Sequence, residues 1–240
     1  AVLGRDTHVA AGQHLHESGT SADEPCELDQ ALGVARRQFK VGDWIRVGDV
    51  DQVVSVGASY ATAFEAATGR EVWRVGYRDG FSNVPRPVFA HGLVFIATGF
   101  QQPTLVAVRV DGSGDVTRTH VAWTLRRGAP FTPSPILVGD ELFVVSDIGV
   151  LTCVDARTGT VHYQQRLGGN YSASPIVADG RIYFLSEDGV ATAIAPGRVF
   201  SKLAVNKLDG ATLASIAVSG GSLFIRSHSH LYRIGAPAGP

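Results

Sequence analysis

Apolar and polar residues alternate along much of the chain, in short runs that are separated by glycine-containing turns. The runs are rich in β-branched and aromatic residues, which is typical of strands: LVFIAT from Leu93, ELFVVS from Glu141, RIYFLS from Arg181 and SLFIRS from Ser222. No helical periodicity of useful length occurs after residue 50. The pattern therefore predicts an all-β protein made of short antiparallel strands.

These runs belong to a longer repeat. One position of the repeat is held in turn by Pro87, Pro135, Pro175 and Ile216, at steps of 48, 40 and 41 residues. A turn follows five residues after each, and the third repeat contains enough alternating segments for four strands. A period near 40 residues, as in WD40-like repeats, indicates a β-propeller of four-stranded antiparallel blades. Four blades are readable, together with part of one more.

The outer strands carry a second repeated feature. The segments AFEAATGREVW (63–73) and CVDARTGTVHY (153–163) match position for position, which places Trp73 and Tyr163 at the same point of the blade. Trp123, in HVAWTL, occupies that point in the blade between them. Large flat side chains at this place are predicted to pack against the next blade and fill the gap between twisted sheets. Aromatic recognition of a ligand is the alternative interpretation.

The pattern Ala-x-Asp-x-x-Thr-Gly-x-x-x-Trp resembles the tryptophan-docking motif of quinoprotein-type β-propellers. Residues 52–234 are similar to bacterial PQQ-binding-like β-propeller repeat proteins, with matching stretches such as NVPRP, TPSP and GGNYSASP. The segment from Cys153 to Tyr163 departs from the motif at both ends, with Cys for Ala and Tyr for Trp. The resemblance implies an exported, periplasmic or secreted bacterial protein with seven or eight blades in its full ring.

On this resemblance the chain is expected to be the C-terminal portion of a larger propeller, and the absence of any Met agrees with a processed or truncated piece. Residues 52–240 are assigned to blades. Residues 1–51 stay unassigned, as a divergent blade or a linker with a possible short helix near residues 27–39. The last repeat shows only three strands, and Gln52–Gly57, the candidate for the missing fourth strand, looks like part of its own blade. An open arc or a strained ring with exposed edges is expected.

Composition narrows the classes of function. The formal net charge is −1, which gives no argument for a nucleic-acid partner, and no apolar run is long enough to span a bilayer. Cys26 and Cys153 are far apart, and Cys153 lies in an apolar strand pattern, which indicates a buried thiol. Enzymes of the quinoprotein superfamily use a disulfide between adjacent cysteines, Ca²⁺ and a catalytic Asp. None of these is recognisable here, so PQQ is suggested by the family name alone and no cofactor is predicted.

Other chemical motifs are weak. The stretch Asp111–Thr117 places oxygen ligands on alternate residues like a Ca²⁺ loop, but it lacks the glycine and the final glutamate of such loops. The pairs His228/His230 and His14/His16 have no third ligand nearby in sequence. No serine nucleophile elbow and no phosphate-binding loop occurs. We therefore predict no catalytic residue and no metal ligand.

A binding site is instead predicted at the mouth of the central channel. In a propeller, the link from one blade's outer strand to the next blade's inner strand lies on the same face as the turn between strands two and three. Polar residues of these segments would meet there and could bind a small ligand or a protein. The candidates are Asn83, Arg86, Asn170, Tyr171 and Glu187.

Three hypotheses of function follow. The leading one is a non-enzymatic scaffold or binding module that contacts a protein partner or a small ligand on the channel face. The outer-membrane assembly lipoprotein, a propeller of the same superfamily, is a precedent for protein contacts. The alternatives are a fragment of a PQQ-dependent dehydrogenase, whose cofactor residues lie in other blades, and a carbohydrate-binding propeller that uses Tyr171 for stacking.

Overall fold

A computed structural model describes residues 42–78, 80, 83–99 and 102–235 of the chain, and these form five β-sheets. The first sheet contains β1 (Gly42–Val47), β2 (Val50–Val56), β3 (Tyr60–Glu65) and β4 (Glu71–Gly76), and the second contains β5 (Val88–Ala90), β6 (Leu93–Thr98), β7 (Thr104–Arg109) and β9 (Val121–Leu125). The third contains β10 (Ile136–Val138), β11 (Glu141–Val145), β12 (Val150–Asp155) and β13 (Val161–Arg166). The fourth contains β14 (Ile176–Ala178), β15 (Arg181–Leu185), β16 (Val190–Ala195) and β17 (Ser201–Lys207). The fifth contains β18 (Ala217–Ser219), β19 (Ser222–Arg226) and β20 (Leu231–Gly235).

Each sheet is an antiparallel meander whose turns carry the residues that the backbone requires. The first hairpins of the second and fourth sheets turn at His91-Gly92 and Asp179-Gly180, all four with positive φ. A β-bulge recurs where the third strand meets the fourth: after Ala63, Ala107, Cys153 and Ala193. This shared irregularity fixes the register of the four complete repeats relative to one another, so equivalent positions can be identified residue by residue.

The core lies between the sheets and has the order expected of propeller blades. Four apolar clusters join the first sheet to the second, the second to the third, the third to the fourth and the fourth to the fifth. Among the described residues, no cluster joins the fifth sheet back to the first. The prediction of β-propeller blades in an open ring is confirmed.

The structure adds features at both ends of the arc. The first sheet begins with β1 at Gly42, ten residues before the predicted start of the blades at residue 52. Residues 1–41 lie outside the described part of the chain, and with them the possible helix near residues 27–39, His14 and His16. Gln52–Gly57 coincides with β2 of its own sheet. The described part of the fifth sheet has three strands, and no helix among the described residues could cross a membrane.

One short strand pairs outside its own repeat. β8 (Gly114–Asp115) belongs by sequence to the second repeat, but it pairs in parallel with β4 of the first sheet, Trp73 opposite Gly114 and Arg74 opposite Asp115. The Val116 amide donates to the Arg74 carbonyl at 2.9 Å, and the Gly76 amide donates to Thr117 Oγ1 at 2.7 Å. The stretch Asp111–Thr117, whose pattern resembled a Ca²⁺ loop, therefore contains a short fifth strand that joins two blades.

Candidate binding face

The channel-mouth segments form one hydrogen-bonded surface, which we call the mouth face. It consists of the links between consecutive sheets and the turns between the second and third strands of each sheet. The Tyr171 amide donates to the Asp147 carbonyl at 2.9 Å, and the Glu187 amide donates to the Asn170 carbonyl at 2.8 Å. The same pattern continues with the Thr212 amide to the Glu187 carbonyl at 2.9 Å. Links and turns are thus held to each other from the third sheet to the fifth.

A second chain of hydrogen bonds runs along the inner edge, immediately before the first strand of each sheet. The Arg86 amide donates to Ser134 Oγ at 2.9 Å, and the Ser134 amide donates to Ser174 Oγ at 3.0 Å. The Ser174 amide donates to Ser215 Oγ at 2.9 Å. These four residues precede the repeat position of Pro87, Pro135, Pro175 and Ile216. We call them the serine ladder. In it, the serine hydroxyl of one sheet accepts a hydrogen bond from the backbone amide of the equivalent residue in the preceding sheet.

Asn83 and Arg86 lie on the link into the second sheet. The Asn83 side-chain amide donates to the Gly57 carbonyl at 2.7 Å and to the Tyr77 hydroxyl at 3.1 Å, so it ties this link to the first sheet. Burial raises the pKa of Tyr77 far above its usual range. The Arg86 side chain is exposed. Burial raises the pKa of Asp43, at the start of β1, and the charge of Arg86 opposes this shift.

Asn170 and Glu187 lie side by side on the mouth face. Asn170 is exposed, and the carboxylate of Glu187 accepts a hydrogen bond from Ser172 Oγ at 2.5 Å. In the third sheet, the carboxylate of Asp147 accepts from the amides of Phe131 at 2.7 Å and Thr132 at 3.3 Å. Both carboxylates therefore hold their own loops in place, whereas the Asn170 side chain is presented to solvent.

Tyr171 does not have the position that ligand stacking requires. Its ring is 1% exposed and packs in the cluster between the third and fourth sheets, with Phe143 and Phe184. Burial raises the pKa of Tyr171 to about 12, and the hydroxyl contacts Thr192. The sequence interpretation placed Tyr171 near the channel mouth because the link that carries it lies on the mouth face. The ring instead fills apolar space between the third and fourth sheets.

The three aromatic residues of the outer strands contact the next sheet. Trp123 Nε1 donates to the Ala156 carbonyl at 3.0 Å, and a Cβ placed on Gly159 would lie 2.7 Å from the indole ring. Trp73 is fully buried against the second sheet. Tyr163 meets Phe200 edge-on, with ring centroids 5.7 Å apart.

The fourth sheet breaks this aromatic pattern, a feature that the sequence interpretation missed. Ala204 pairs with Ala193 as Tyr163 pairs with Cys153 and as Trp123 pairs with Ala107. A cavity of about 20 Å³ lies between the fourth and fifth sheets, lined by Ala191, Ala193, Asn206 and the apolar residues of β19 and β20. Ala204 was overlooked because the sequence comparison aligned the outer strands by their Thr-Gly turn, which the fourth repeat lacks. The shared β-bulge gives the alignment that reveals it.

The remaining motifs do not bring together a cluster of metal-ligating side chains within the described residues. Asp115 is held by hydrogen bonds from Thr117, which lower its pKa, and it forms an ion pair with Arg74 at 3.8 Å. His230 stacks against Tyr232, with ring centroids 5.6 Å apart. No group of three or more His, Cys, Asp or Glu side chains converges in this part of the chain, and Cys153 is a buried free thiol. These residues do not fit the disulfide and Ca²⁺ ligands of a quinoprotein centre.

Comparisons with known proteins agree with this architecture. The sequence profile of the family described as outer membrane protein assembly factor BamB matches residues 57–229. Among solved structures, the crystal structure of BamB from Moraxella catarrhalis is similar, with a TM-score of 0.57 and 16% sequence identity. That match covers 73% of this chain and 51% of the other, so the chain spans about half the length of its solved relative. At this identity the likeness is one of fold. A search of curated proteins gave no match.

Proposed function

The chain belongs to the family of the outer membrane protein assembly factor BamB, and from this premise we propose that it is a non-enzymatic scaffold that binds a protein partner through its mouth face. Its compartment would be the periplasm or the exterior of the cell. The family name supports a role in an assembly complex, and the links and turns of the mouth face offer a surface for protein contacts.

The observation that carries the proposal is the hydrogen bonding of the mouth face. The amides of Tyr171, Glu187 and Thr212 are each fixed to the neighbouring link or turn, so the loops form a preorganised surface. A rigid surface binds a partner without the entropic cost of ordering loops. The Asn170 and Arg86 side chains are exposed on this surface. The cavity of about 20 Å³ lies inside the arc and is far smaller than a small-molecule pocket.

Site-specific photocrosslinking tests the proposal. p-Benzoylphenylalanine would replace Asn170 in the full protein, expressed in its own host, and in a control it would replace Val199. Val199 is 81% exposed in the turn between β16 and β17, on the opposite face. We expect a discrete crosslinked protein from position 170 and a much weaker product from position 199.

Two results would overturn the proposal. The first is equal crosslinking, or none, at the two positions. The second is enzymatic activity. If the full protein, reconstituted with PQQ and Ca²⁺, reduces an artificial electron-acceptor dye, it is a dehydrogenase and not a scaffold.

A further inference from the structure

Both faces of the arc carry paired and unpaired charged side chains. On the face opposite the mouth, some turn charges are paired between sheets, whereas Arg118 and Lys202 are exposed and form no ion pair with a described residue. His91 contacts Asp140 at 3.1 Å across the second and third sheets, and Arg198 contacts Glu141 at 2.8 Å across the third and fourth. On the mouth face, Arg78, Arg86 and Arg226 are exposed and form no ion pair with any described residue. The same holds for four cations at or just after the ends of outer strands: Arg126, Arg127, Arg166 and Lys207.

These four cations, which we call the basic rim, recur with the repeat. Arg126, Arg166 and Lys207 each lie three residues after the equivalent outer-strand positions of Trp123, Tyr163 and Ala204. Each therefore lies where an outer strand ends and the link to the next sheet begins. A cation at the same place in three consecutive blades gives an arc of positive charge along the outside of the mouth face.

Contacts between neighbouring blades make this arc continuous. Gln164, two residues before Arg166, donates from its side-chain amide to the Arg127 carbonyl at 3.0 Å. This bond places the links after the second and third sheets side by side. Farther along, the Lys207 ammonium group donates to the Asp188 carbonyl, in the turn that borders Gly169. The rim thus follows the second, third and fourth sheets without a break.

Exposed apolar side chains accompany the rim on the same face. Ile148 is 60% exposed at the turn between β11 and β12, and Leu213 is 61% exposed on the link into the fifth sheet. Apolar groups bordered by charged ones are typical of protein interfaces. Four acidic residues among those described share the face: Asp147 and Glu187 bind their own loops, and Asp188 and Asp209 are exposed.

We propose that the basic rim, with Ile148 as an apolar contact, recognises an acidic segment of the partner protein. This inference rests on the proposed function and specifies the chemistry of the partner. Unpaired cations on a fixed surface attract opposite charge at long range and raise the rate of encounter, while Ile148 contributes contact area that slows dissociation. Binding governed by the rim is therefore expected to weaken as salt is raised.

The test uses a short fluorescent peptide of aspartate, glutamate and leucine, with a control peptide in which lysine replaces each acid. Binding to the full protein is followed by anisotropy at about 50 and 300 mM NaCl. The variant Arg126→Gln/Arg166→Gln removes two rim charges. The matched variant Arg118→Gln/Lys202→Gln removes two exposed charges away from the mouth face. Thermal unfolding checks that both variants remain folded.

We expect the acidic peptide to bind and the lysine peptide not to bind. The rim variant should weaken binding about fivefold or more at low salt, from two lost charge contacts, whereas the matched variant should change it less than about twofold. If both variants weaken peptide binding equally, the overall charge of the protein is responsible, and the proposed role of the basic rim is overturned. Failure of the wild-type protein to bind the acidic peptide at low salt would do the same.

Further outcomes separate a protein partner from a lipid surface, and failure of the rim inference from failure of the scaffold function. Rim-dependent binding to phosphatidylglycerol vesicles, without peptide binding, would overturn the inference in favour of a lipid surface. If position 170 still crosslinks a protein with undiminished yield in the rim variant, the rim inference fails and the scaffold function stands. If position 170 crosslinks no protein even in the wild type, the scaffold function itself fails.

Discussion

Trp123 and Gly159 form a contact that joins the second and third sheets. The indole ring lies where a side chain on Gly159 would be, and the indole nitrogen donates to the carbonyl of nearby Ala156 at 3.0 Å. Gly159 also has a φ of +73°, which a residue with Cβ adopts at a cost. The glycine of the Thr-Gly turn therefore meets two requirements, one of backbone conformation and one of space.

The two requirements can be separated by comparing Gly159→Ala with Gly69→Ala. Gly69 occupies the equivalent turn of the first sheet with a φ of +71°, but no atom lies within 4 Å of its Cβ position. We expect Gly69→Ala to lower the free energy of unfolding by about 1 kcal/mol from backbone strain alone. Gly159→Ala should cost roughly 2 kcal/mol more, because the indole must move. Urea unfolding measures both, and equal losses would refute the role of the indole.

The cavity between the fourth and fifth sheets predicts that one added side chain will stabilise the protein. Ala193 lines this cavity, and we expect Ala193→Val to raise the free energy of unfolding by about 0.5–1 kcal/mol. Ala107 holds the equivalent position under Trp123, where it is fully buried in a packed cluster. Ala107→Val should therefore lower stability by roughly 1–3 kcal/mol. Thermal unfolding of the two variants should show shifts of opposite sign; a loss in both would argue against a fillable cavity.

The serine ladder predicts a modest loss of stability when one hydroxyl is removed. Ser174→Ala deletes the acceptor of the Ser134 amide, and we expect the free energy of unfolding to fall by about 1 kcal/mol. Ser201→Ala, at the exposed start of β17, serves as the control and should change stability by less than about 0.5 kcal/mol. Hydrogen exchange of the Ser134 amide gives a local measure. Unchanged protection of that amide in Ser174→Ala would contradict the ladder.

Alkaline pH should destabilise the fold. Burial raises the pKa of Tyr171 from its ordinary 10 to about 12 and that of the Cys153 thiol from 9 to about 12. Because these pKa values are higher in the folded state, the stabilisation is complete below about pH 9 and is lost as the pH rises towards 12. Tyr171 alone should account for about 1 kcal/mol by pH 11.

Urea unfolding at pH 8, 10 and 11 measures this dependence, and Tyr171→Phe should reduce its slope. The buried thiol makes an independent check possible in a Cys26→Ser background. At pH 8 the folded protein should react with a thiol reagent far more slowly than the urea-unfolded chain does. A folded-state reaction as fast as that of the unfolded chain would contradict the burial of Cys153.

Repeat spacing predicts the fold well, because strands and their turns are local features. The glycines and prolines that recur every 40 or so residues set the hairpins, and alternation of apolar residues sets the faces. The pairing of β8 with β4 could not be read in this way, since a parallel contact between residues about 40 apart leaves no local periodicity. The strand β1 was missed because its repeat lacks the proline that the second, third and fourth repeats share.

The candidate site was less predictable than the fold. Placement of Asn170 and Glu187 on one surface followed from blade geometry, and hydrogen bonds between their segments are present. The inward orientation of Tyr171 depends on the apolar space between two sheets, which is a property of packing and not of the segment itself. The basic rim was also overlooked, because its cations are spread over three repeats and their common position becomes clear only when the strand registers are aligned.

The parallel strand β8 limits where whole repeats can be duplicated or deleted without breaking a sheet. Its residues are encoded in the second repeat but complete the first sheet. A duplication or deletion that cuts between these two repeats would separate a sheet from one of its own strands, whereas no strand is shared across the later boundaries within the described residues. Deletion of the second repeat alone would therefore remove one strand of the first sheet, whereas a cut after the second sheet leaves each described sheet with its own strands.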